Sequence, residues 1–159
     1  NYIVDTIRQA NEDRIKIFEY FTANIISIIG SFTLFSSNQQ IGLLVISLLL
    51  AFGITSFLKI IKSRNAWYES VVALNKIKDF YIKQTPDIAE AFLWRINTIP
   101  KPAKKFSISF ILAAFIALLN TVNVGIILTL LSAQIGLVIV LAIASLAVHY
   151  YVWEKSLNK

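Results

Sequence analysis

Two long stretches without a charged residue dominate the chain. The first covers residues 20–58 and the second covers residues 106–153, with lengths of 39 and 48 residues. One transmembrane helix needs about 20 apolar residues to cross roughly 30 Å of hydrocarbon. Each stretch is therefore long enough for about two crossings.

Polar residues near the middle of each stretch predict a turn there. In the first stretch they occupy residues 36–40. The second stretch has two candidate turns, at residues 120–123 and 132–134, and only the latter gives helices of similar length. The sequence from Gln40 to Leu43 is also repeated from Gln134 to Leu137, each time before a long aliphatic run. This repeat favours the later turn and suggests a weak internal duplication.

The pattern predicts an all-α membrane protein with four transmembrane helices arranged as two helical hairpins. The first hairpin covers residues 17–61, and the second covers residues 106–153. The predicted spans are residues 17–35, 41–61, 106–130 and 133–153. The remaining parts are an amphipathic N-terminal segment at residues 1–16, a helical connector at 62–105 and a tail at 154–159.

The charged residues indicate the orientation. They make up 15% of a chain that is 57% hydrophobic, and all lie outside the two uncharged stretches. The segment from Lys59 to Lys105 has ten Lys and Arg residues against four acids, whereas neither predicted turn is charged. Because Lys and Arg beside spans are retained in the cytoplasm, we expect both termini and the connector to be cytoplasmic. The protein would lie in a bacterial or other plasma membrane, in contact with anionic lipid headgroups.

The connector is predicted to begin as a continuation of the second span. Apolar residues at spacings of 4, 3, 3 and 4 indicate a helix with one apolar stripe. Thr85 and Pro86 are typical of a helix start, with Thr85 as the cap, so a second short helix should run to about Arg95. The residues expected to form a cytoplasmic partner surface are Trp67, Val71, Leu74, Ile77, Tyr81, Phe92 and Trp94.

Small residues recur at four-residue spacing within the predicted spans. Such rows let helix backbones approach closely, which supports helix packing in lipid. The longest row lies in the third span, and shorter rows lie in the second and first spans. The helix-packing candidates are Ser109, Ala113, Ala117, Thr121, Gly125, Thr129, Ser47, Ala51, Ser27 and Ser31. These rows could pack within one chain or between chains.

Three asparagines lie within the predicted spans. Asn24 is in the first span, and Asn120 and Asn123 are one turn apart in the third. An unpaired amide in hydrocarbon costs several kcal/mol, so each should face a hydrogen-bonding partner or line a hydrated pore. His149 lies about one turn from the predicted end of the fourth span and is expected to be interfacial.

The sequence offers little chemistry for catalysis. It has no cysteine and one histidine, and it lacks a Gly-rich phosphate loop, a nucleophile elbow and an HExxH motif. The carboxylates of the connector alternate with lysines, which is typical of a solvated helix face. We therefore expect no enzymatic activity, no cofactor, no metal site and no nucleic-acid partner.

Two functions remain compatible with these patterns. In the first, the chain is a non-catalytic membrane protein that forms a homo-oligomer or anchors a larger complex through small-residue packing and its basic cytoplasmic platform. In the second, it is a homo-oligomeric, weakly selective pore or membrane-perturbing effector lined by Asn, Ser and Thr. Small multispan effectors of bacterial defence systems share this general layout, although shared layout is weak support for a function.

Overall fold

The computed structural model describes residues 5, 8–9, 12, 15–17, 19, 22–27, 29–30, 38–92 and 95–158. Within these residues there are three long α-helices: α1 (Gln39–Gln84), α2 (Ile108–Leu130) and α3 (Ile135–Leu157). All three are long and apolar enough to cross a membrane. The described residues before Asn38 are helical as well, but residues 31–37, at the end of the first predicted span, lie outside the described part.

Helix α1 is a single helix of 46 residues. It begins after Asn38, whose side-chain Oδ1 accepts hydrogen bonds from the backbone N–H groups of Gln40 and Ile41 at 3.0 and 3.3 Å. This N-cap satisfies donors that would otherwise be unpaired in the first turn. At 1.5 Å per residue the helix is about 69 Å long, so less than half of it is needed to cross a bilayer.

The connector after α1 differs from its prediction. Instead of one short helix to about Arg95, two 3₁₀ helices form, at Pro86–Ala91 and Ile96–Thr98. Thr85 makes no side-chain capping bond. Pro86 supplies no backbone N–H, and Pro100 and Pro102 follow closely, so this region is restricted to short turns. Both 3₁₀ helices pack against α1.

Helix α2 packs against both α1 and α3, which have few contacts with each other. Ser107 begins α2 as its N-cap, with its Oγ accepting from the Phe110 N–H at 3.2 Å. The core includes Ile17 from the N-terminal segment. Its buried members are Ile17, Phe57, Ile60, Ile61, Ala113, Ile116, Ala117, Trp153 and Leu157.

Helices α2 and α3 are joined at the later of the two candidate turns. The N–H of Ser132 donates to the Thr129 carbonyl and that of Ala133 donates to the Leu128 carbonyl, both at 3.0 Å. These bonds form a Schellman motif, in which the residue after the C-cap adopts a left-handed conformation. Ser132 occupies that position with φ 59°.

Replacing Ser132 with glycine should therefore stabilise the protein. Glycine adopts the left-handed conformation without the steric penalty of a Cβ, so we expect the free energy of unfolding to rise by about 1 kcal/mol. Reversible denaturation in detergent micelles would measure the change. Ser132→Val should have the opposite effect because a β-branched side chain disfavours positive φ; equal stability of the two variants would contradict this explanation.

Candidate functional site

The small-residue row of α2 is buried at one end and exposed at the other. Ser109, Ala113 and Ala117 are buried, and the two alanines belong to the core. Thr121 and Gly125 are half-buried, and Thr129 is exposed. The N-terminal half of this row therefore packs within the chain.

The corresponding row of α1 faces outward. Ser47, Ala51 and Thr55 are all exposed in the described structure. In the N-terminal segment, Ser27 is half-buried, and Ser31 lies outside the described residues. The α1 row is thus a small-residue surface on an apolar helix, and the described part of the chain does not bury it.

A hydrogen-bonded pair connects α2 and α3 in the middle of the apolar region. The Asn120 Nδ2 lies 3.1 Å from His149 Nε2, and His149 Nδ1 lies 2.8 Å from the Ser145 carbonyl oxygen. Because a carbonyl oxygen only accepts, Nδ1 carries the proton and Nε2 accepts from the amide. His149 is half-buried and packs edge-on against Phe57 at 4.8 Å between ring centroids. His149 is therefore an interhelical packing residue, a role that the sequence pattern did not predict.

Gly53 of α1 lies directly against Asn120. A Cβ built at Gly53 would overlap the Asn120 Oδ1 and lie 2.8 Å from its Cγ. Both residues are buried, so neither can move into solvent. Glycine at this position lets α1 approach the Asn120 side chain.

Asn24 lies beside the same pair. It lines a cavity of about 10 Å³ together with Gly53, Ser56 and Asn120. Asn24 is 7% exposed, and the Oδ1 atoms of Asn24 and Asn120 have no hydrogen-bond partner among the described residues. The structure therefore brings two of the three predicted asparagines together around one small cavity.

Asn123 does not join this cluster. It is fully buried, and neither its Oδ1 nor its Nδ2 has a hydrogen-bond partner in the described part of the chain. An amide buried without partners costs free energy comparable to the hydrogen bonds it has lost. Asn123 is thus a buried polar residue that the described chain does not satisfy.

Arg64 marks the level at which α1 leaves the apolar region. Although charged, it is only 6% exposed; its Nε donates to the Pro102 carbonyl at 3.1 Å, and its guanidinium lies 4.3 Å from the Trp67 ring centroid. The neighbouring Asn65 donates to the Ser156 carbonyl at 3.3 Å. These bonds attach the connector and the end of α3 to α1.

The predicted partner surface is partly covered. Trp67, Val71, Leu74 and Phe92 are half-buried, whereas Ile77 and Tyr81 are exposed. Phe80, which the sequence pattern did not include, is 56% exposed beside them. Trp94 lies outside the described residues. The exposed apolar surface is therefore Ile77, Phe80 and Tyr81, near the end of α1.

Sequence reasoning missed Gly53, Arg64 and the contact of His149 with Asn120. One signal could have found that contact: Asn120 and His149 are polar residues inside the same uncharged stretch, in two successive predicted spans, and could satisfy each other. No comparable signal identifies Gly53 in the sequence, because glycine is common in membrane helices.

The side chains of the candidate site can form hydrogen bonds and pack against neighbouring helices. Within the described residues, no group of His, Asp or Glu side chains could hold a metal ion. Among the described residues, the side chains buried in the apolar region are uncharged, and Arg64 is the buried charged side chain. Comparison with protein-family profiles, curated proteins and solved structures finds no match to this chain.

Proposed function

We propose that the chain is a non-catalytic membrane protein whose four spans form two hairpins, with both termini and the connector in the cytoplasm. Three apolar helices support this topology, as do the helical residues 22–27 and 29–30 before Asn38. Ile17 is buried in the core of the three long helices, as expected for a fourth helix that packs beside them. The excess of Lys and Arg in the connector supports the orientation.

Its proposed role is to assemble, either as a homo-oligomer or as the anchoring subunit of a larger complex. The observation that carries this proposal is α1, which is about twice as long as a bilayer crossing and has exposed packing surfaces in both halves. Ser47, Ala51 and Thr55 are exposed within the span, and the apolar surface of Ile77, Phe80 and Tyr81 lies beyond it. Small-residue rows promote helix association in lipid, and exposed apolar patches outside lipid are typical of protein interfaces.

Site-specific crosslinking in native membranes tests the assembly. We expect a photo-crosslinking residue at Ile77 to capture a protein partner in high yield, and disulfide formation by Ala51→Cys in a homodimer. The chain has no native cysteine to interfere. Mass spectrometry of the Ile77 adduct would distinguish a second copy from another subunit.

Matched positions provide the controls. Lys62 is exposed on α1 about 22 Å before Ile77, and Ile143 is exposed on α3, so neither belongs to the proposed surfaces. The same probes at these positions should give little product. Equal yields at Ile77 and Lys62, together with a monomer in native mass spectrometry, would contradict the proposal.

A pore is the second candidate, and the unpaired amides favour it. Asn24, Asn120 and Asn123 have amide atoms without partners in the described chain. All three are buried within one chain, so the water that would satisfy them would have to enter between the helices of the bundle. Cysteines at Asn120 and Asn123 should then react with a membrane-impermeant thiol reagent. Their protection, with reactive control cysteines at Asn38 and Lys101, would favour packing over a pore.

A further inference from the structure

Three neighbouring cavities along α2 and α3 form a groove. It runs from the lysines before α2 and the charged end of α3 into the apolar region. Its inner part is a cavity of about 310 Å³, which is at the lower end of the range for small-molecule sites. Most of its lining residues are apolar, among them Ala113, Ala114, Leu118 and Leu146, and its lining residues with polar atoms in their side chains are His149, Tyr150 and Trp153. The inner part therefore suits an apolar chain.

The outer part of the groove is basic. The cavity next to the inner one shares Phe110, Tyr150 and Trp153 with it and adds Lys105 and Glu154. The next cavity shares Glu154 and adds Lys101 and Lys104. These three lysines are exposed, and one carboxylate opposes them, so the groove opening has a net charge of +2.

The aromatic residues lie between these two parts. Tyr150 is 45% exposed, and Lys105 Nζ lies 5.9 Å from its ring centroid. Trp153 is buried, and its indole N–H has no acceptor among the described residues. Tyrosine and tryptophan favour the level at which lipid headgroups meet hydrocarbon. The middle of the groove therefore has the aromatic residues that are typical of the membrane interface.

We propose that this groove binds one anionic phospholipid. Its phosphate would lie beside Lys101, Lys104 and Lys105, its ester carbonyls at the level of Tyr150 and Trp153, and one acyl chain in the inner cavity. A phospholipid has anionic, polar and apolar parts in this order, and the groove has complementary parts in the same order. A soluble phosphate would leave the inner cavity unused. This site is independent of the assembly proposed above.

Quenching of Trp153 fluorescence measures lipid occupancy. Trp67→Phe and Trp94→Phe would leave Trp153 as the reporter. The protein is reconstituted in phosphatidylcholine bilayers that contain equal mole fractions of either brominated phosphatidylglycerol or brominated phosphatidylcholine. We expect roughly fivefold stronger association of the anionic lipid, because two net cationic charges face its phosphate and salt screens part of their effect. No preference for phosphatidylglycerol would overturn the proposal.

Charge-matched variants locate the effect. Changing Lys101, Lys104 and Lys105 to Gln should abolish the preference, whereas changing Lys62, Lys76 and Lys83 to Gln removes the same charge from exposed positions elsewhere and should preserve it. Equal losses in both triple variants would show diffuse surface attraction and would contradict a site. Conversely, Glu154→Gln should increase the preference.

Filling the inner cavity tests the acyl chain. Ala114 is half-buried in the cavity wall, so Ala114→Phe should fill the space and reduce quenching by both brominated lipids. Circular dichroism would show whether Ala114→Phe is folded. If it is not folded, the lysine variants still test the proposal. Unchanged quenching in folded Ala114→Phe would contradict an acyl chain in the cavity.

Discussion

Gly53→Ala should lower the free energy of unfolding by about 1–3 kcal/mol, the usual range for overpacking a buried contact. The new Cβ would overlap the Asn120 Oδ1, and relief requires α1 to move away from α2 or Asn120 to lose its bond to His149. Reversible denaturation in detergent micelles measures the loss. Since alanine is the better helix former, a stabilisation would show that the two helices do not meet at this point.

A second substitution should rescue this variant. Asn120→Ala removes all three atoms that lie nearest to the added Cβ, so Gly53→Ala should cost much less in that background. The double-mutant cycle separates the energy of the overlap between the added Cβ and Asn120 from the energy that is lost with the His149 hydrogen bond. Gly136→Ala is the matched control, because a Cβ at Gly136 meets no atom within 4 Å. Additive effects of the two changes would contradict the predicted overlap.

Asn123→Leu should raise the free energy of unfolding by about 1–3 kcal/mol. Leucine is similar in shape, and the substitution removes a buried amide whose two polar atoms have no partner in the described chain. Thermal denaturation of the purified protein in detergent would measure the gain. If assembly depends on Asn123, the same variant should be more stable as an isolated chain and yet give less crosslinked product.

Asn120→Leu is the control for this prediction. It is the same substitution one turn away, but Asn120 donates to His149 Nε2, and its loss leaves a half-buried nitrogen without a partner. We therefore expect Asn120→Leu to destabilise the protein while Asn123→Leu stabilises it. A loss of stability in both variants would indicate that Asn123 is satisfied by groups beyond the described residues.

The sequence predicts the helices better than their contacts. Charge-free length and helical spacing indicate where α2 and α3 begin and end within a few residues, because crossing a bilayer demands about 20 apolar residues. The same spacing predicts that α1 continues beyond its span. The 3₁₀ turns of the connector are harder to predict, since such short turns have no long hydrophobic repeat to identify them.

The candidate site depends on how the helices are rotated about their axes. Asn120 and His149 are 29 residues apart, and sequence periodicity does not show which face of α2 meets which face of α3. Sequence periodicity also does not show which small-residue row is buried. One half of the α2 row is buried and the α1 row is exposed, although the two patterns are alike. Which row is buried depends on where neighbouring helices approach each other closely, as α1 and α2 do at Gly53 and Asn120.

Helix α1 continues as one helix beyond its predicted span, so a tilt of the span would move the far end of the helix. Roughly 23 residues of α1 follow the predicted span, a length of about 35 Å, and the bonds of Arg64 to Pro102 and of Asn65 to Ser156 lie near the start of this part. A rigid helix of this length converts a tilt of about 10° in the membrane into a displacement of about 6 Å at its far end. Membrane helices tilt by such angles when bilayer thickness changes. If α1 crosses the membrane as proposed, the position of Ile77, Phe80 and Tyr81 would change with the thickness of the bilayer around the predicted span.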